Sequence, residues 1–234
     1  MKNLNQSKNN RVNEVFNKVF NKYDLMNDLM SLGVHRIWKK KLVDWINPTK
    51  ESKVLDMSSG TGDVAKEFLE RVNFDAKVTC VDPNLNMIKI GKKKLKDLSN
   101  VEWICSSAEK LPLKSESFDI YVVSFGIRNF DNIHLSLKEA LRVLKPGGRF
   151  ICLEFSKVEN EILEKIYKTY SKLIPLLGKQ ILGSSEPYEY LISSIEDFYS
   201  QNELCEILKK NSFTEIEYRN LSGGIAAIHS GWKI

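Results

Sequence analysis

The stretch Val54–Asp63, VLDMSSGTGD, begins as a buried strand and stops in a run of small residues. Asp56 stands directly behind the apolar Val54 and Leu55, and only Ser, Gly and Thr lie between Met57 and Asp63. Small residues let a backbone turn tightly and let a ligand approach closely, because no long side chain stands in the way. The segment VAKEFLERV that follows is helical in pattern, so its unpaired N–H groups point back at the turn. Strand, small-residue turn and helix together predict a ligand held at the end of the strand.

Outward from this stretch the same unit recurs. SKVLDM precedes DVAKEFLERV, KVTCVD precedes NLNMIKIGKKKLK, and VEWICS leads through a loop to FDIYVVSFG, NIHLSLKEALRVL and GRFICLEFS. Strands alternating with helices of about ten residues predict an α/β fold with a mostly parallel, doubly wound sheet. Lys145-Pro146-Gly147-Gly148 reads as a helix stop and turn before the fifth strand. Upstream, Val15, Phe16, Val19, Phe20 and Tyr23 recur with a helical period, and a second helix is expected over Ile37–Ile46, ending before Pro48. The Asn-rich residues 1–10 are expected to be disordered.

After Ser156 the alternation breaks. Residues 159–210 read mainly as helical, with Ile162, Ile166, Tyr167, Tyr170, Leu173 and Ile174 on one face. FTEIEYRNLSGGIAAIHSGWK reads as two closing strands, an antiparallel hairpin around Gly223-Gly224. The expected organisation is one structural domain. It has an N-terminal helical arm over 1–50 and an α/β region over 51–234, interrupted by a helical insertion at about 159–195.

A chain of 234 residues suits one such domain, and 42% hydrophobic with 28% charged residues is ordinary for a globular protein. The net charge of +5 arises from short runs at Lys39–Lys41 and Lys92–Lys94, read here as solvated helix faces rather than a nucleic-acid surface. Cys80, Cys105, Cys152 and Cys205 lack metal-ligand spacing, and three of them sit in strand-like apolar runs, as in a reducing cytoplasm. The N-terminus lacks the apolar core of a signal peptide, and no apolar run approaches the roughly 20 residues that span a bilayer. The expected location is the cytoplasm, with contact at the inner-membrane surface permitted.

Nucleotide ligands of open α/β sheets bind beyond the carboxyl ends of the strands, where the strand order switches. A nicotinamide enzyme calls for GxGxxG there, with a pyrophosphate on the helix N-terminus. Asp56-Met-Ser-Ser-Gly-Thr-Gly lacks that spacing, and its carboxylate would repel a pyrophosphate but suit a ligand with a cationic amino group. S-adenosylmethionine is such a ligand, with an ammonium, a sulfonium and no phosphate. Asp82 ends the second strand, twenty residues beyond Gly62, where a carboxylate can accept both ribose hydroxyls. A tight turn without a ligand would leave two acidic residues at successive strand ends unexplained.

The pattern Asp-x-small-x-Gly-x-Gly after the first strand resembles the class I S-adenosylmethionine-dependent methyltransferases, which have a Rossmann-like fold. More narrowly, VFNKYDLMNDLMSLGVHRIWK, LDMSSGTGD, SSAEKLPLKSESFD, SFGIRNF, RVLKPGGRF, LEFSK, YEYLISSI and NLSGGIAAIHSGWK resemble the ubiquinone/menaquinone biosynthesis C-methyltransferases along nearly the whole chain. The glycine loop and LKPGG are shared by many methyltransferases; the N-terminal block, SFGIRN and the C-terminal block are narrower. The resemblance implies that Gly60, Thr61 and Gly62 line the methionine end, with Asp56 facing its ammonium and Asp82 the ribose. It places Ser107 and Ala108 at the adenine and Ser124 beside the methionine or sulfonium. Two departures stand out: Ser58-Ser59 where the family usually has Ala-Gly, and Ser107 where it often has Asn or Asp.

His35, His134 and His229 stand far apart without ligand spacing, so no metal is expected. Methyl transfer needs neither a metal nor a covalent nucleophile, only an aligned acceptor in a site that excludes water. A hydroquinone becomes a carbon nucleophile when one hydroxyl is deprotonated, so the protein must stabilise that charge and help the ring lose its proton. Arg128 is the candidate for the charge and Asn129 for a quinol oxygen. By resemblance Tyr23 is an active-site tyrosine, and Asp63 is a candidate proton relay. An ion pair for Arg128 and core packing for Tyr23 are the competing structural readings. The expected partners are a prenylated benzoquinol or naphthoquinol, no nucleic acid, and a homodimer or a quinone-biosynthesis complex. The rival functions are a nicotinamide oxidoreductase, a non-catalytic cofactor-binding subunit of such a complex, and a methyltransferase of another small molecule.

Overall fold

The computed structural model describes residues 27–28, 31–182 and 185–234. Helix α1, His35–Ile46, buries Trp38, Leu42, Val43 and Ile46 at helical spacing and ends at Asn47, in the left-handed conformation just before Pro48. The alternation then runs as expected: β1 Lys53–Met57, α2 Asp63–Arg71, β2 Lys77–Asp82, α3 Leu85–Lys94, β3 Val101–Cys105, β4 Phe118–Ser124, α4 Ile133–Val143 and β5 Leu144–Phe155. Asparagine side chains start two of these helices. Asn84 accepts from the amides of Asn86 and Met87, and Asn132 from that of Leu135, satisfying donors that a helix start leaves free.

The sheet has seven strands in the order β3-β2-β1-β4-β5-β7-β6, where β6 is Thr214–Leu221 and β7 is Ala226–Trp232. The first five strands pair in parallel, and β7 runs antiparallel between β5 and β6. The closing hairpin turns at Ser222–Gly224, as the two glycines predict: Gly223 and Gly224 have φ of 69° and 96°. Apolar residues fill both faces of the sheet. Phe68, Phe155 and Tyr188 belong to one core, and Tyr121, Phe150 and Leu204 to the other.

Between β5 and β6 lie α5 Glu161–Leu182, α6 Glu186–Glu196 and α7 Gln201–Lys210, the last opened by a Ser200–Glu203 capping box. Among the described residues no helix is long and apolar enough to cross a membrane.

The structure departs from the expectations at three places. The Lys145–Gly148 turn is absorbed into β5 as a register jump, so Phe118 pairs with Leu144 and Ile120 with Arg149. The C-terminus recruits that excursion, because the amide of Gly147 donates to the Lys233 carbonyl and that of Lys233 to Gly148. Of the expected inward face of α5, Tyr167 and Tyr170 are partly buried, whereas Ile162 and Ile166 are 70% and 61% exposed and the side chains of Leu173 and Ile174 lie outside the description. Cys80 and Cys152 are buried as strand hydrophobes, whereas Cys105, at the last position of β3, is exposed.

Candidate active site

The strand order reverses between β1 and β4, so the loops leaving their carboxyl ends diverge and open a crevice. The loop after β1 makes its turn with three left-handed residues, Ser58, Gly60 and Gly62. Gly62 is required twice over. Its φ is 83°, and a Cβ there would fall 2.9 Å from both Leu95 and Trp103. The loop after β4 meets it at Gly126, where a Cβ would sit 2.5 Å from that of Ser58.

Asp82, at the end of β2, holds the loop in place. One carboxylate oxygen accepts the Gly60 amide at 2.9 Å and the other the Asn84 amide at 2.8 Å. A carboxylate has about four acceptor positions, so each oxygen keeps one for a hydroxyl. Burial pushes its pKa up to about 6 against the pull of those two amides. The Ser106 amide donates to the Asp82 carbonyl oxygen, which brings the following residues alongside; there Ser107 is exposed and Ala108 buried.

Asp56 is 1% exposed, and its Oδ2 has no hydrogen-bond partner among the described residues. Burial raises its pKa to about 8, although the nearby Lys39 favours the charged form. Asp56, Lys39, Ser58, Thr61, Asp63 and Ser124 line one small cavity, and the buried Ser124 Oγ is likewise without a partner. Buried polar atoms left unmatched by the described residues suit a ligand that brings a donor of its own.

Asp63, at the start of α2, is engaged on both oxygens: Lys39 reaches Oδ2 at 2.6 Å, and Lys94 bonds Oδ1. The two ammonium groups outweigh its burial and hold its carboxyl well below the usual range. So placed, Asp63 has little affinity for a proton, and the geometry speaks against its use as a relay. Lys94 also donates to Thr61 Oγ1 at 3.3 Å.

Arg128 lies in a short 3-10 turn, Ile127–Asn129, after β4. Its Nη1 donates to Glu154 Oε1 and to the Phe125 carbonyl, both at 2.7 Å, and its Nε reaches Ser194 Oγ at 3.4 Å. This is the buried ion pair of the structural reading, with Glu154 1% exposed and its pKa raised by burial. Arg128 also borders a cavity of about 430 Å³ shared with Phe130, Tyr190, Ser194 and Phe198. Asn129 accepts the Tyr190 hydroxyl at 2.7 Å. A second cavity of about 330 Å³ lies across α6, walled by Val158, Tyr167, Ile192 and Ile195. Tyr167 has a buried hydroxyl without a partner among the described residues, and burial raises its pKa to about 12. Tyr23 lies outside the described residues. Among the described residues no cluster of His, Cys, Asp and Glu could hold a metal ion.

The sequence reading overlooked Lys39, Lys94 and Glu154. Lys39 was grouped with a solvated lysine run, yet it is buried. Its signal is position: it lies three and four residues before Leu42 and Val43, on the apolar stripe of α1. Glu154 is marked the same way, as a lone carboxylate within the apolar ICLEF of β5.

The sequence model of the ubiE/COQ5 methyltransferase family matches residues 4–233. A Brucella anthropi protein named ubiquinone/menaquinone biosynthesis C-methyltransferase UbiE is 48% identical, over 97% of this chain and 89% of its own. Among solved structures, an S-adenosylmethionine-dependent methyltransferase of Thermotoga maritima, described as a possible histamine N-methyltransferase, superposes with a TM-score of 0.67 at 22% identity, covering 95% of this chain and 99% of the other. A Haemonchus contortus phosphoethanolamine N-methyltransferase solved with S-adenosylhomocysteine gives 0.62 at 14% identity, covering 84% and 52%. These two likenesses establish a common fold.

Proposed function

The chain belongs to the ubiE/COQ5 methyltransferase family, and on that premise we propose that it transfers the methyl group of S-adenosylmethionine to a ring carbon of a prenylated benzoquinol or naphthoquinol, a step of ubiquinone or menaquinone biosynthesis. The observation that carries this reading is the buried Asp56 carboxyl, whose Oδ2 has no partner among the described residues, in a cavity formed by a left-handed glycine loop. It suits a ligand with an ammonium group and no phosphate.

In this reading Asp56 takes the ammonium and Asp82 the ribose hydroxyls through its remaining acceptor positions. Gly60, Thr61 and Gly62 allow close approach to the methionine end, Ser124 borders it, and Ser107 and Ala108 flank the adenine. When bound, S-adenosylmethionine supplies an electrophilic methyl group on sulfur. The protein's part is to present the quinol carbon in line and exclude water. Arg128 stabilises the phenolate form of the acceptor, whose charge spreads to the ortho carbon, and Asn129 and Tyr190 hold a quinol oxygen. Transfer would break the sulfur–methyl bond, leave the cofactor as a neutral thioether and form the ring carbon–methyl bond. The methylated ring carbon then gives up its proton to water beside Arg128 or to Tyr23 in its phenolate form, because Asp63 is held by two lysines. Helix α6 walls the cavity at Arg128, α5 and α6 wall the second one, and these cavities border the slot for the prenyl tail. Peripheral contact of a cytoplasmic enzyme with the inner membrane follows from where such a substrate resides, and Ile162 and Ile166 are available for it.

Isothermal titration with S-adenosylmethionine and with NADH separates this reading from a nicotinamide enzyme: the first should bind and the second should not. Asp82→Ala removes the ribose acceptor and the anchor of the Gly60 amide. Losing hydrogen bonds to a charged group costs about 1.5–3 kcal/mol, so the dissociation constant should rise about 10- to 100-fold. An unchanged constant would remove Asp82 from the cofactor site.

A further inference from the structure

The cavity at Asp56 holds a buried ammonium without an assigned task. Lys39 is 8% exposed and lines that cavity together with Asp56, Thr61 and Ser124. Its ammonium makes one hydrogen bond among the described residues, to Asp63 Oδ2 at 2.6 Å. An ammonium carries three N–H donors, so two remain. Asp63 does not depend on Lys39 alone, because Lys94 occupies its other oxygen. A buried lysine that served only as counter-ion to an already paired carboxylate would be a costly placement. The cavity thus presents a cationic donor, Lys39 Nζ, and an unmatched carboxyl oxygen, Asp56 Oδ2, to the same space.

We propose that Lys39 is a specificity-determining residue that receives the α-carboxylate of the bound amino-acid group while Asp56 receives its ammonium, so that the cavity selects a zwitterion. This rests on the cofactor reading given above and extends it to the carboxylate. A ligand with the same ammonium but no carboxylate gains the Asp56 contact and leaves the buried Lys39 donors unused. Because Lys39 sits on α1, the carboxylate also ties that helix to the loops after β1 and β4. The arrangement gives the helical segment before the sheet a binding role that it would lack as a mere cover.

The test compares S-adenosylmethionine with its decarboxylated analogue, which keeps the adenosine, sulfonium and ammonium, by equilibrium binding to the full chain. The wild type should prefer S-adenosylmethionine by about 30-fold, the worth of one charge-assisted contact. In Lys39→Met that preference should vanish, through weaker binding of S-adenosylmethionine alone. Lys94→Gln, which removes the other Asp63 partner, should keep it. Equal wild-type affinities for the two ligands would overturn the inference without any variant. So would a Lys39→Met protein that weakens both ligands alike, since that is the mark of a structural role. Failure of S-adenosylmethionine to bind the wild type at all would instead overturn the cofactor reading beneath it.

Discussion

Asp56→Asn is expected to make the ligand-free protein more stable and its hold on S-adenosylmethionine weaker. In an unfolded chain an aspartate has a pKa of about 3.9, whereas burial raises that of Asp56 to about 8. Between those values the native state binds a proton that the unfolded state lacks. The contribution of this group to stability is therefore greatest at low pH and declines as pH rises through that window. Asparagine has the same shape and no such dependence. The variant's advantage should grow from about 1 kcal/mol at pH 5 to about 4 kcal/mol at pH 8, at 1.36 kcal/mol per unit of pKa less the cost of an imperfectly matched amide. The same substitution removes the anion that meets the ligand's ammonium, and affinity should fall about 100-fold. Urea unfolding at the two pH values, with a titration of the cofactor, measures both effects. A variant whose advantage did not grow with pH would show that Asp56 is charged in the native protein.

The second large effect falls on the Arg128–Glu154 pair. Glu154→Ala leaves a guanidinium buried without its counter-ion, and breaking a buried pair in this way costs about 3–5 kcal/mol. The reverse truncation, Arg128→Ala, should cost less. An orphaned carboxylate can take up a proton, and burial already raises the pKa of Glu154, while arginine cannot shed its charge. Arg128→Ala should then retain cofactor binding and lose most of the methyl transfer. Denaturant midpoints for the two variants decide the order. Equal losses would mean that Glu154 does not escape by protonation. Loss of cofactor binding in a folded Arg128→Ala protein would move Arg128 from the acceptor side to the cofactor side.

The sheet was readable because its strands are short apolar runs bounded by turns, and each helix between them carries one apolar stripe. SKVLDM, KVTCVD and FDIYVVSFG contain β1, β2 and β4 within a residue or two. Asp56 and Asp82 stood out because a carboxylate at the end of an apolar strand needs a reason. What escaped notice was polar residues whose burial is decided by tertiary contacts. Lys39 looks like its exposed neighbours Lys40 and Lys41 until α1 is docked on the sheet. Glu154 acquires meaning only when Arg128, 26 residues earlier, arrives beside it. The inward side of α5 was misjudged for a related reason. Leading isoleucines suggest a core face, but the helix turns Tyr167 toward the cavity and leaves Ile162 and Ile166 outside. A hydrophobic period locates a stripe; the packing partner decides which flank of it is covered.

The most direct test is methyl transfer itself. The protein is incubated with methyl-labelled S-adenosylmethionine and, in parallel, a prenylated demethyl-naphthoquinol and a prenylated methoxybenzoquinol, each kept reduced. Label should pass into the organic phase as a carbon-bound methyl group on at least one ring, and the preferred acceptor identifies the pathway. Firm cofactor binding with no label in either acceptor would contradict the account and leave a cofactor-binding subunit in its place.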